Sequence, residues 1–125
     1  MKSYLIKIFL FLWVMGAMTS FILHLFFYNI VSEFSLWNVS IGWQREIAFW
    51  NLSTVLVIVF VLIYNRYDLL NMVKVLSLFS FVLGANHLIT QLIADQLGKI
   101  HIMGSILNFG MVIFGIYLIR KNDKK

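Results

Sequence analysis

The run I-A-F-W-N-L-S-T-V-L-V-I-V-F-V-L-I-Y-N, residues 47–65, decides the fold of this chain. It carries no charge over 19 residues, close to the roughly 20 mainly apolar residues that cross about 30 Å of hydrocarbon. Residues 4–28, 69–94 and 100–119 are similarly apolar, with Lys7 and Lys74 as their only Asp, Glu, Lys or Arg. The breaks between the four runs are residues 29–46, the turn at 66–68 and residues 95–99. Of the 125 residues, 62% are apolar and 12% charged, with a mean hydropathy of +0.91. A soluble domain of this length needs a far larger charged surface, so the composition specifies an integral membrane protein. Cysteine and proline are both absent, which excludes disulfides, thiolate metal sites and proline kinks.

The formal net charge of +5 is organised by topology. No stretch combines a basic patch with the polar surface that nucleic-acid binding needs, so nucleic acid is not an expected partner. An even number of spans puts both termini on one side. Lys2, Lys7, Arg66, Lys74, Arg120, Lys121, Lys124 and Lys125 then fall together, against Arg45 and Lys99 on the other side. Eight against two is a strong positive-inside signal for cytoplasmic termini. Short connections after the second and third spans force antiparallel neighbours. The expected fold is all-α: a single-domain, up-down-up-down four-helix bundle over residues 1–125, placed in a bacterial inner membrane. Ala17-Met18-Thr19 is a poor cleavage site, and the apolar run continues through Phe27, so the first span is expected to be retained. The basic tail at 120–125 is expected to anchor on anionic headgroups of the lipid bilayer.

The outer connection, residues 29–46, contains W-N-V-S-I-G-W-Q at 37–44. Its large/small alternation predicts an extended segment with one apolar face. With Phe34, Trp37 and Trp43, that segment lies in the headgroup region or folds over the bundle as a lid. Asn38-Val39-Ser40 also matches a glycosylation sequon, relevant only in a secretory-pathway host.

Polar residues within the spans fall in stripes. Ser77, Ser80, Gly84, His87, Gln91 and Asp95 recur at helical spacing, with Asn86 pointing to the opposite side. His101, Gly104, Asn108, Met111 and Gly115 repeat the pattern, and Trp13, Gly16 or Ala17, Ser20 and His24 form a third stripe. In the second span Glu46, Trp50 and Ser53 share a face, extended by Asn51 and Thr54. Small residues favour close helix packing, which accounts for Ser77, Ser80, Gly84, Gly104 and Gly115 and for the seam Gly16-x-x-x-Ser20.

Depth adds a functional expectation. At 1.5 Å per residue His24 lies about 6 Å below the outer boundary, Asn51 about 7 Å, His87 about 12 Å and Asn108 about 13 Å. His101 and Glu46 lie at the rim, and Gln91 lies between. Four helices thus send polar side chains into one layer, and ionisable residues facing a bundle interior mark a functional site. The candidate ligand-binding residues are Glu46, Asn51, His87, Gln91, His24, His101 and Asn108, with Glu46 turned inward. They suit a small polar or cationic ligand or a proton relay: carboxylate charge, imidazoles titrating near neutral pH, and amide dipoles. No spacing diagnostic of a metal, haem or catalytic triad occurs, so metal and cofactor are unassigned and no catalytic residue is named.

G-W-Q-R-E-I-A-F-W-N-L (42–52) and G-A-N-H-L (84–88) resemble motifs of small bacterial four-helix membrane proteins, broadly of the DoxX-like kind. That resemblance carries no established activity. It marks Gln44, Glu46, Asn51 and His87. The leading expectation is an outward-facing polar pocket that binds or conducts a small ligand, ion or lipid headgroup. The alternatives are a non-catalytic subunit or immunity-type protein binding a larger membrane partner, and a membrane enzyme or haem/metal electron carrier. A homodimer is compatible with each.

Overall fold

In hydrocarbon every backbone amide must find its partner inside the chain, and a helix does this within one segment. The computed structural model describes residues 2–37, 40–64 and 69–123, and all its regular structure among them is helical. The order is α1 (Lys2–Phe26), α2 (Tyr28–Phe34), α3 (Ile41–Tyr64), α4 (Leu69–Ile93) and α5 (Lys99–Asp123). Of these, α1, α3, α4 and α5 are long and apolar enough to cross a membrane. Large apolar side chains such as Phe11, Phe60, Leu92 and Ile113 stand exposed on them. Helices apolar on every side belong in lipid, which points to a multi-pass membrane protein.

Two element boundaries differ from expectation. The second long helix begins at Ile41, six residues before the apolar run at 47. Ser40 caps it: its carbonyl accepts from Gln44 N–H at 2.9 Å, and its hydroxyl meets Trp43 N–H at a long 3.5 Å. Residues 41–44 are therefore helical, and the extended segment expected at 37–44 does not form there. Within the expected outer loop, α2 forms a short helix whose first turn closes on the Phe27 carbonyl and whose Val31 is buried. The sequon residues 38 and 39, the turn at 66–68 and the last two lysines lie outside the described residues.

Packing is pairwise. Helix α4 lies along α5 and α1 along α3, and the pairs join mainly through α1 against α4 and α5. Near one end an apolar cluster draws on four helices: Ile6, Phe9 and Leu10 of α1, Ile58 of α3, Val73 and Leu76 of α4, and Leu118 of α5. Phe9 meets the Phe114 ring edge-on, with centroids 5.7 Å apart. Trp13 Nε1–H donates to Ser80 Oγ at 3.0 Å, fastening α1 to α4.

The α4–α5 seam is set by missing side chains. A Cβ at Gly115 would run into Ser77 Oγ, and one at Gly84 would stand 3.2 Å from Asn108 Cβ. Small residues at these positions let the backbones approach. Gly16 behaves otherwise: it is exposed with nothing within 4 Å of an added Cβ, so the expected seam Gly16-x-x-x-Ser20 is not one. The buried position is its neighbour Ala17. Gly115→Ala should cost about 1–3 kcal/mol by overpacking. Gly16→Ala should stay within about 0.5 kcal/mol of the parent at its unpacked site. Denaturant titration of both variants in micelles checks the contrast.

Candidate functional site

His87 sits two turns before the end of α4, and His101 is in the first turn of α5. The same close approach that defines the seam brings them together. A Cβ at Gly104 would lie 2.7 Å from His87 Cδ2, so only glycine leaves room for that ring. His87 Nδ1 and His101 Nδ1 are 3.1 Å apart, and His101 is fully buried.

Residues 35–37, just after α2, close over this pair. Leu36 N–H donates to His101 Nε2 at 3.0 Å, with Ser35 Oγ 3.2 Å from the same nitrogen. Trp37 N–H donates to Ser35 Oγ at 3.1 Å. The Trp37 ring stacks on His87, with centroids 5.4 Å apart and planes 22° apart, and meets His101 at 4.5 Å. Its Nε1–H donates to Thr90 Oγ1 at 3.3 Å. Gly98 makes the closure possible, because a Cβ there would strike Leu36 Cγ at 2.6 Å. Gln91 holds the intervening turn: Gly98 N–H donates to its Oε1 at 2.8 Å and its Nε2–H donates to Gln96 O at 3.1 Å.

These partners dictate the proton positions. A backbone N–H can only donate, so His101 Nε2 is an acceptor and carries no proton. The His101 proton then sits on Nδ1 and is donated to His87 Nδ1, which leaves the His87 proton on Nε2. Each ring is neutral, and their contact leaves no gap for a haem plane between them.

A second polar contact joins α1 to α3, where His24 Nδ1–H donates to Gln44 Oε1. Gln44 is 3% exposed, and His24 lies within electrostatic reach of His87. Among the described residues, every buried side-chain nitrogen and oxygen has a hydrogen-bond partner, and no three His, Cys, Asp or Glu converge to hold a metal.

Of the residues marked from sequence, His87 and His101 come together, His24 stands nearby on α1, and Gln91 braces the turn beneath Leu36. Asn51 and Asn108 turn back on their own helices, donating to Ile47 O and Gly104 O, each at 2.8 Å. Glu46 does not face inward as expected. The buried face of α3 is Gln44, Ala48, Val55 and Ile58. Glu46, two residues beyond Gln44, points roughly 200° away at 100° per residue. It is exposed and lines an open groove of about 330 Å³ with Phe49, Trp50 and Ser53. Ser35, the Leu36 amide, Trp37 and Thr90 are not among the site residues expected from sequence, and Gln44 is marked there only through the resemblance. Ser40 as a helix cap was the available signal for Gln44, since it extends α3 back to Ile41 and so places Gln44 one turn before Ala48 on the same face.

No protein-family model, curated protein or solved structure matches the chain. The site is therefore read from its own chemistry. Gln44→Leu strands the His24 donor and should destabilise the fold by about 1–3 kcal/mol. Glu46→Gln, one exposed amide for one exposed carboxylate, should move stability by less than about 0.5 kcal/mol. Denaturant unfolding of the two variants measures the difference, and the reverse order would mean Glu46 is the inner residue.

Proposed function

We propose that this is a multi-pass membrane protein with cytoplasmic termini, whose outer end takes up a small ion, the proton first of all, at the His87–His101 pair. The placement of eight basic residues against two supports that orientation. Kinship with DoxX-like proteins belongs to the same proposal and rests on residues 42–52 and 84–88 alone.

The observation that carries the reading is the Nδ1–Nδ1 contact with Leu36 N–H on the far nitrogen. A further proton on His101 Nε2 replaces an acceptor with a donor facing the Leu36 N–H. A further proton on His87 Nδ1 sets two N–H groups against each other. Either event removes one of the hydrogen bonds that hold the pair and its cover together. Proton uptake thus frees the segment 35–37 and opens the layer outward.

The groups facing the pair fit this role. His24 of α1 is the ionisable neighbour within electrostatic reach of His87. Ser35, Leu36 and Trp37 of the cover, Thr90 of α4 and Ser105 of α5 carry no ionisable side chain. Glu33, Glu46 and Asp95 are exposed and turned to the surroundings, and Lys99 lies over the Phe34 ring, 5.8 Å from its centroid.

A second reading, a subunit that binds a larger membrane partner, draws on the groove of Glu46, Phe49, Trp50 and Ser53, which sits on the exposed face of α3.

The test is hydrogen exchange at the Leu36 amide in lipid nanodiscs, at about pH 8 and about pH 3.5, a range wide enough to charge a buried imidazole pair. After correction for intrinsic exchange, protection should fall at least about tenfold at the lower pH as the cover opens. His87→Gln keeps an acceptor for His101 Nδ1–H without an imidazole and should blunt the response. Equal protection at both pH values would overturn the proposal.

A further inference from the structure

Asn86 of α4 carries an amide that the bundle leaves unanswered. It is exposed, and its backbone carbonyl accepts from Thr90 Oγ1 at 2.9 Å. Among the described residues its side-chain amide has no hydrogen-bond partner. Seven residues separate it from Ile93, the last residue of α4, which puts it about 10 Å inside the helix end. Water does not reach that depth in a bilayer, and an amide without a partner there costs several kcal/mol.

The surrounding face is regular. Val75, Phe79, Val82, Asn86, Ile89 and Ile93 follow one another at intervals of four, three, four, three and four. All are exposed, with Val82 at 57%, Ile89 at 57% and Ile93 at 79%. This is the a/d spacing of a two-stranded coiled coil, with Phe79, Asn86 and Ile93 at a and Val75, Val82 and Ile89 at d. It lies away from Val73, Ser77, Ser80 and Gly84, which α4 buries within the bundle. The same spacing can be read on the neighbouring face at Leu78, Phe81, Ala85, Leu88 and Leu92, so what distinguishes this face is the asparagine, for which lipid contact has no use.

From this we infer that two copies of the chain pair through α4, side by side and parallel, with Asn86 against its own counterpart. A primary amide offers a donor and an acceptor together, so a second identical amide satisfies both. A single asparagine at an a position also fixes register and favours two strands. Copies inserted in the same orientation present α4 in parallel, as such a seam requires, and cross at about 20°. The pairing is independent of the histidine chemistry.

The absence of cysteine makes the test direct. Single-cysteine variants of the full chain are oxidised in bilayers. Val82→Cys and Ile89→Cys should form covalent dimers, whereas Leu88→Cys on another side of α4 and Ile113→Cys on α5 should not. Asn86→Leu should weaken dimerisation by about three- to thirty-fold, the range of one interhelical hydrogen bond. Asn86→Gln should restore much of it. Cross-linking that is equal at all four cysteine positions would overturn the inference, as would a monomeric mass for the parent chain by native mass spectrometry in lipid.

Discussion

The close approach of α4 to α5 is the constraint on which the rest of the structure depends. Three positions show how little space is left: Gly115 against Ser77, Gly84 against Asn108, and Gly104 against the His87 ring. Between membrane helices no hydrophobic drive operates, because lipid tails are as apolar as leucine, so contact must come from dispersion at short range. Removing the Cβ atoms provides that range. It also has a chemical consequence at the end of the bundle away from the apolar cluster, where two imidazoles come within hydrogen-bond distance at 3.1 Å. Once the rings touch there, the Leu36 amide and the Trp37 face have a surface to close on.

The two ends of the bundle are held by different physics. At one end Ile6, Phe9, Leu10, Ile58, Val73, Leu76 and Leu118 pack an apolar cluster from four helices. Dispersion is non-directional and indifferent to protons, so this end has no means of responding to pH. At the other end the joints are Leu36 to His101, His101 to His87, Trp37 to Thr90, and His24 to Gln44. Each depends on which atom carries a hydrogen. A single proton can therefore reverse a joint at this end while the apolar end holds the helices together.

Hydropathy made the four long helices legible, because the solvent for their outer faces is lipid and their length is set by its thickness. Close packing through small residues was legible too, in Ser77, Gly84, Gly104 and Gly115 where α4 meets α5, and in Ser80, which Trp13 of α1 meets. What failed was the reading of short segments. Trp37 to Gln44 alternates as a strand would, yet Ser40 turns the chain into helix from Ile41. That start brings Gln44 into the helix on the face of Ala48, Val55 and Ile58, and Glu46, two residues on, falls about 200° away. Over so few residues a periodic pattern is ambiguous, and the cap decides. The cover over the histidines was legible only as one of two options for the outer loop. Its principal bond comes from a backbone amide, which leaves no mark in residue type.

Polarity at helical spacing is also a poor guide to a site unless each hydrogen-bonding group is followed to its partner. Asn51, Ser53, Thr54, Ser77, Thr90, Ser105, Asn108 and Asn122 all donate to the carbonyl four residues back, at 2.7–3.0 Å. A side chain satisfied within its own turn needs no neighbour and implies no pocket. The histidines and Gln44 cannot satisfy themselves in this way, since a ring nitrogen or a longer amide reaches past its own helix. They are driven to one another and to the covering segment. Asn86 has the same short amide as Asn51 and Asn108, but its side chain makes no such bond within the helix. The difference is one of surroundings: Asn51 and Asn108 are half-buried, whereas Asn86 stands on an exposed face. Three asparagines in one bundle thus carry different information, and what separates them is where the amide's hydrogens go.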